Sequence, residues 1–408
     1  MIKVAILGFG VVGSGVAEVL SGNGAGIQKK ADELIEVKYI LDVRDFPDSP
    51  FAKHFVKEFS VIEHDPEVNV VVETIGGVGA ALDFTERALK QGKSVVTSNK
   101  ELVATHGRRL LDLAAQNNAV YLFEASVGGG IPILRPLSEC MSANEILEIC
   151  GILNGTANYI FTRMVKDHVP FAEALAGAQA NGYAEQDPSA DVEGKDTCRK
   201  LCILSSIAYG WHLLPDQVPT TGITKITLAD EAYAAAAGRS LKLLGRSIAR
   251  EDGTICAYVE PHFVGNQDPL AGVEDVFNAI KVKGNAVGDV MFYGRGAGKL
   301  PTASAVVADV IDALKEGVKV HDSLFWKPAV KPEGLLEDRN TYPWYLRVTG
   351  VAAALLPSVA GAGHVVFEDN GEAAYLVDAA TSADIAAVTE KIEVLGGKVA
   401  LAMKKLED

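Results

Sequence analysis

Cysteine is scarce in this chain: five in 408 residues, Cys140, Cys150, Cys198, Cys202 and Cys256, with no CxxC pair among them. An odd number without paired spacing argues against a disulfide framework and reads as free thiols in a reducing, cytoplasmic compartment. Eight histidines are scattered without ligand spacing, so a transition-metal centre is not expected. Positive charge is also short. The formal net charge of −15 argues against nucleic acid and anionic membrane surfaces as partners. Long apolar runs are missing too: the longest, residues 351–359, is interrupted by Pro357 and falls well below the roughly 20 residues of a membrane span. Residues 1–7 run directly into a strand pattern rather than a basic region and an apolar core, so no signal peptide is expected. No short-period repeat is visible. What remains is a composition of 48% hydrophobic and 22% charged residues, that of a globular protein. At this length two or three domains are expected.

The first third alternates short β-branched runs (2–7, 35–41, 70–75, 94–98, 120–124) with helical patterns (12–20, 80–90, 101–116). That rhythm predicts an α/β, doubly wound parallel sheet. After Pro132 the character changes. Helical stretches at about 156–166, 171–180 and 194–209 precede strand-like runs at 240–249, 255–264, 276–282 and 289–293, which predicts an α+β substrate domain. A Gly-rich loop at 294–298 leads into a helix over 302–314. The segment 321–343, with Pro328, Pro332 and Pro343, reads as a linker. The remaining residues give strand, helix, two strands, helix and strand, a ferredoxin-like βαββαβ order. The predicted domains are 1–133 with 301–320 returning to it, 134–300, and 344–408.

Gly8, Gly10 and Gly13 form a GxGxxG directly after the first strand, with Val12 in the opening helix. Glycines there permit a tight turn, a close approach of backbone to pyrophosphate and packing of helix on strand. The context makes a Rossmann-type nucleotide site the reading of choice. The second strand ends in Asp42 and Arg44; an acid would bind the ribose of NAD, an arginine the 2′-phosphate of NADP, and either could be a plain strand-end charge. Further along, Glu185, Asp191, Asp196 and Lys200 fall within sixteen residues. Asp196 and Lys200 one helical turn apart would alone suggest a surface ion pair. Lys100, after a predicted sheet strand, lies where doubly wound folds bind ligands, and it raises the prospect of a substrate site.

Taken in order, Gly8–Gly13, residues 97–101, residues 124–132, residues 154–159, residues 182–200 and the loop 294–298 resemble the signatures of the homoserine dehydrogenase family over about residues 1–320. The resemblance implies reversible hydride transfer between NAD or NADP and homoserine, giving aspartate 4-semialdehyde on the way to threonine, methionine and isoleucine. It implies that Lys200 and Lys100 are catalytic, and that Glu185, Asp191, Asp196, Thr156 and Tyr183 hold the substrate. The implied cofactor contacts are Gly8, Gly10, Val12, Gly13, Arg44, Thr74, Ser98, Lys100, Gly182, Glu185 and Gly298. Backbone carbonyls of Glu124, Val127, Gly129 and Ile131 would bind a monovalent cation, sodium, where the residues alone give only a Gly-rich turn. Two alternatives stay open: a dehydrogenase for another amino-acid semialdehyde, or a non-catalytic amino-acid sensor.

The tail resembles an ACT-like amino-acid-sensing module. It lacks the usual acidic Pro-Gly loop, since Thr349, Gly350 and Val351 close the first strand onto its helix. Weak or absent threonine inhibition is therefore expected, with the tail's open strand edges pairing in a homodimer or homotetramer. Removal of the substrate's hydroxyl proton needs a base near neutral pH, and two lysines at one site, or burial of one, would favour the neutral amine.

Overall fold

The computed structural model describes residues 1–315, 324, 326–329, 334, 340–369 and 371–406. Contacts divide the chain into two compact units. The first contains Met1–Ile146, Arg199–Gln217 and Lys283–Val330; the second contains Leu147–Cys198, Val218–Val282 and Lys331–Asp408. Among the described residues no helix is long and apolar enough to cross a membrane.

In the first unit, six strands make a parallel sheet: β1 (Ile2–Leu7), β2 (Ile35–Leu41), β3 (Phe55–Val56), β4 (Val68–Glu73), β5 (Ser94–Thr97) and β6 (Tyr121–Leu122). Their order is β3-β2-β1-β4-β5-β6. The reason is legible in β1 and β4, where Val4, Ala5, Ile6 and Leu7 and Val70, Val71 and Val72 are buried almost completely. Strands covered on both faces by helices read as unbroken aliphatic runs. The order turns back between β1 and β4, so the ends of these two strands open the crevice in which such sheets bind ligands. The helix Lys299–Lys315 packs on the helix Val11–Gly22 in this unit.

The segment expected to be a linker lies mostly outside the described residues, and within its described part Leu324 and Trp326 are buried while Lys327 and Pro328 are exposed. Trp326 is buried, edge-on to Phe123 at 5.6 Å and against His212 at 5.2 Å. Lys327–Ala329 then pairs in parallel with Trp211–His212.

Eight strands of the second unit share one sheet: β7 (Ile146–Ile152), β8 (Arg239–Ala249), β9 (Ile255–Gly265), β10 (Phe277–Gly284), β11 (Tyr342–Thr349), β12 (Gly363–Asp369), β13 (Glu372–Ala380) and β14 (Lys398–Leu406). Their order is β10-β7-β8-β9-β14-β11-β13-β12. The last four, with the short helix Leu356–Ala360 and the helix Ser382–Val394, give the ferredoxin-like arrangement in which the first and third strands occupy the centre. Trp344, Leu346, Val348, Tyr375, Val377, Ile385 and Ile392 build its core. Thr381 and Asp384 cap the longer helix reciprocally.

One edge that the sequence left for a partner is used inside the chain. β14 pairs in parallel with β9, His262 opposite Lys404 and Val264 opposite Leu406. Buried charge locks the same junction. Asp230 Oδ1 accepts from Tyr345 Oη at 2.7 Å and from Arg347 Nε at 2.9 Å, and Lys404 pairs with Glu260 at 2.9 Å.

Candidate active site

The dinucleotide turn sits where β1 and β4 part. Gly8 has φ +89°, and Thr74 at the end of β4 reaches across with its hydroxyl to the carbonyls of Leu7 at 2.9 Å and Gly8 at 3.0 Å. A Cβ on Gly13 would lie 1.9 Å from the Gly8 carbonyl oxygen and 2.7 Å from Thr74 Oγ1, so only glycine lets the helix start this close to the strand. Gly10, by contrast, faces open space. It caps the helix Val11–Gly22 without a side-chain hydrogen bond, and the first N–H groups of a helix so capped are available to an anionic group. Val12 lies in the first turn of that helix.

At the end of β2, Asp42 is buried and accepts from Phe9 N at 2.7 Å, Arg44 N at 2.9 Å, Arg44 Nε at 3.1 Å and Arg44 Nη2 at 3.0 Å. The Arg44 guanidinium, helped by these amides, pulls the Asp42 carboxyl down to about 2 against the effect of burial. Arg44 remains 60% exposed. Lys57, which sequence reasoning passed over, donates to the carbonyls of Asp42, Val43 and Arg44 at 3.2, 3.1 and 2.7 Å and adds a second cation at the strand end.

Ser98 and Lys100 follow β5. Asn99 caps the helix Lys100–Gln116 by accepting from Leu102 N at 3.1 Å, which puts Lys100 in its first position. The next residue, Glu101, pairs with Arg199 at 2.7 Å. Lys200, buried at 7% exposure, is the neighbour of Arg199. One ion pair thus draws together the two backbone positions beside Lys100 and Lys200.

The second unit gathers the substrate candidates around Asn154. Its side-chain oxygen caps the helix Gly155–Asp167 through Ala157 N at 2.7 Å. Its amide nitrogen donates to Asp191 Oδ1 and to Asp196 Oδ2, both at 2.7 Å. Those two oxygens cannot lie farther apart than two hydrogen-bond lengths. Sequence reasoning quoted Asn154 as part of a turn and missed this bridge, although an Asn directly before a helical pattern is a cap signal. Asp196 opens the helix Lys195–Tyr209, with Lys200 one turn later. Thr156 donates to the carbonyl of Tyr183 at 2.6 Å, and Tyr183 meets Tyr159 edge-on at 5.1 Å. Gly182 and Glu185 lie on the same exposed turn, where the Glu185 carbonyl accepts from Gln179.

Residues 124–131 form a buried turn, with Gly128 at φ +72° and Gly129 at φ +54°. The Glu124 carboxylate is spent on backbone: it accepts from Ile133 N at 2.7 Å, Leu134 N at 2.9 Å and Arg135 N at 2.8 Å. Asp309 and Arg135 brace it from behind, through Glu124 N at 2.8 Å and an ion pair at 2.9 Å. A Cβ on Gly129 would lie 2.6 Å from the Gly296 carbonyl, so this turn and the loop that carries Gly298 touch backbone to backbone. Among the described residues, no hydrogen bond ends on the carbonyls of Val127, Gly129 or Ile131. No cluster of His, Cys, Asp and Glu suited to a metal ion is found among them either.

Comparison with known proteins gives a consistent result. A family model described as homoserine dehydrogenase matches residues 132–311, and its NAD-binding domain matches residues 8–124. The chain is 41% identical over 320 residues to a homoserine dehydrogenase of Bacillus subtilis, covering 77% of this chain and 73% of that protein. It is 42% identical over 355 residues to one of Pseudomonas aeruginosa, covering 85% and 81%. Among solved structures, a homoserine dehydrogenase from Thiobacillus denitrificans superposes with a TM-score of 0.88 at 33% identity, covering 100% of this chain and 98% of that one. A hyperthermophilic archaeal homoserine dehydrogenase in complex with NADPH gives 0.64 at 27% identity, covering 76% and 97%.

Proposed function

The chain belongs to the homoserine dehydrogenase family, and we propose on that premise how its own residues divide the work. The reaction is the reversible NAD(P)-dependent interconversion of L-homoserine and L-aspartate 4-semialdehyde. When bound, the nicotinamide supplies the hydride acceptor. Lys200 takes the proton of the homoserine hydroxyl as the hydride leaves, and Lys100 stands at the hydride-transfer end of the site. Asp191 and Asp196 receive the substrate ammonium, with Thr156, Tyr183 and Glu185 shaping the turn beside them. Gly8, Gly10 and Val12 face the phosphates, Gly13 and Thr74 hold that turn against the strand from behind, and Ser98, Gly182, Glu185 and Gly298 complete the cofactor site. Arg44 at the ribose end supports use of both NADP and NAD.

The observation that carries this reading is the amide bridge of Asn154. One neutral NH2 group holds two carboxylates at a separation that suits a shared cation. An ammonium group, with three donors, fits between such acceptors and is oriented by them. Of the four carbonyls assigned to a monovalent cation such as sodium, those of Val127, Gly129 and Ile131 are buried and without donors, while that of Glu124 accepts from Val127 N at 3.4 Å; hard cations take such oxygen ligands. The exposed edge strand β12 supports pairing of the tail with a second copy, and the shortened connection after β11 supports weak or absent threonine inhibition.

Asp196→Asn tests the ammonium site, because it removes charge and keeps shape. KM for homoserine should rise by about tenfold or more, the scale of a charge-assisted hydrogen bond, with the cofactor KM near wild type. A rise confined to the cofactor KM would assign Asp196 to the nucleotide site instead.

A further inference from the structure

Glu73 closes β4 and is fully buried, yet no step above uses it. Its carboxylate is bonded on both sides. Oε1 accepts from Ile75 N at 2.7 Å and Gly76 N at 3.4 Å, and Oε2 accepts from the Thr97 hydroxyl at 2.6 Å. Thr97 Oγ1 in turn accepts from Asn99 N at 2.9 Å. A hydroxyl has one proton, and here it points to Glu73, so the direction of the chain is fixed. Asn99 then accepts from Leu102 N at the helix start and donates its amide to the Gly77 carbonyl at 2.6 Å. One carboxylate thereby fastens two neighbouring crossings of the sheet: residues 74–77 after β4 and residues 97–100 after β5. The first is pinned to the dinucleotide turn by Thr74; the second begins the helix at Lys100.

Burial pushes the Glu73 carboxyl upward, and the Thr97 hydroxyl and the Ile75 and Gly76 amides oppose that push. A leucine or methionine would fill the same place without the desolvation cost of a carboxyl group. The group is therefore poorly explained by packing and well explained by the hydrogen bonds it gathers at the ligand-binding end of the sheet.

We propose that Glu73 is a positioning residue for hydride transfer: through Thr97 and Asn99 it fixes the turn that carries Lys100 against the loop after β4. It has this role only if Lys100 stands at the reacting site, as proposed above. An amide cannot replace it, because glutamine has an acceptor at one end only, whereas Glu73 accepts at both.

The experiment compares the full-length variants Glu73→Gln, Thr97→Val, Thr97→Ser and Lys100→Met, with Thr97→Val also made in the Lys100→Met background. Readouts are kcat for homoserine oxidation, KM for homoserine, Kd for reduced cofactor and the thermal midpoint. Glu73→Gln and Thr97→Val should lower kcat by about 10²-fold, the scale of a misplaced catalytic group, with cofactor Kd close to wild type. Thr97→Ser, which keeps the hydroxyl, should restore most of the activity. Thr97→Val should add little to Lys100→Met, because both act on one turn. Thr97→Val is nearly isosteric, so it decides the matter even if Glu73→Gln fails to fold. A full kcat in Thr97→Val beside a defective Lys100→Met overturns the role of Glu73 alone. A kcat loss that follows the thermal midpoint and cofactor Kd downward, with no rescue by serine, also overturns it. Full activity of Lys100→Met overturns the assignment of Lys100 itself.

Discussion

Asp42 and Arg44 show how far a residue's meaning depends on its partner. As letters at the end of β2 they point to opposite cofactors; in the fold they form one unit, with Arg44 drawn onto a carboxylate already holding the Phe9 amide. That contact keeps the carboxylate ionised but offsets its charge, and it leaves the guanidinium exposed, an arrangement compatible with a 2′-phosphate. Arg44→Ala should raise KM for NADP by about tenfold, as expected when a charged hydrogen bond is lost, while KM for NAD stays level or falls because Asp42 is released toward a 2′-hydroxyl. Equal changes for both cofactors would place Arg44 away from the ribose. At this scale the sequence supplied the chemical types and their order. Lys100, Asp191, Asp196 and Lys200 could be named because their types suggest chemistry. Asn154, Glu73 and Thr97 could not, since what sets them apart is the group across from them. A buried glutamate at the end of a valine run looks like any strand terminus until its three hydrogen-bonding neighbours are seen.

Elements were more legible than contacts. β-branched density marked β1, β4 and β5, and the tail's βαββαβ order was readable from two helical patterns set among four strand-like runs. The pairing of β14 with β9 was not readable: three parallel pairs leave no mark on composition or period. Nor was the anchoring of Trp326, which sits among prolines but is buried against Phe123 and His212. The junction held by Asp230 gives these long-range pairings an energetic test. Asp230 is fully buried, and Arg347 is its cationic partner, itself tied to the Lys225 carbonyl at 2.8 Å and to Glu372 at 3.2 Å. Arg347→Leu leaves a buried carboxylate without its counter-ion and should cost about 3–5 kcal/mol, read as a lower urea midpoint for the second unit. A loss below about 1 kcal/mol, the scale of a surface pair, would show that the tail is not held this way.

At the scale of the whole molecule, the tail and strands β7 to β10 form one sheet in the second unit, so their stabilities are linked. His262 lies at the seam, fully buried, with Nδ1 on the Glu260 carbonyl at 2.9 Å and its ring stacked on Tyr258 at 5.8 Å. Burial, and then the positive charge of Lys404, holds its pKa at about 3. An unfolded histidine titrates near ~6.5. Between these values the unfolded chain takes up the proton and the folded one does not, so stability falls as pH drops from about 6.5 toward 3 and is fully present above that window. The thermal midpoint should decline across this range, and His262→Leu should flatten the decline. An identical slope in the variant would mean that other groups govern acid sensitivity.

If Lys200 moves the hydroxyl proton of homoserine, its removal must slow turnover itself. Steady-state oxidation of homoserine, followed by the absorbance of reduced nicotinamide, should show a kcat about 10²–10⁴-fold lower for Lys200→Ala than for the wild type, with cofactor affinity unchanged. More than half of the wild-type kcat remaining in Lys200→Ala would contradict the account.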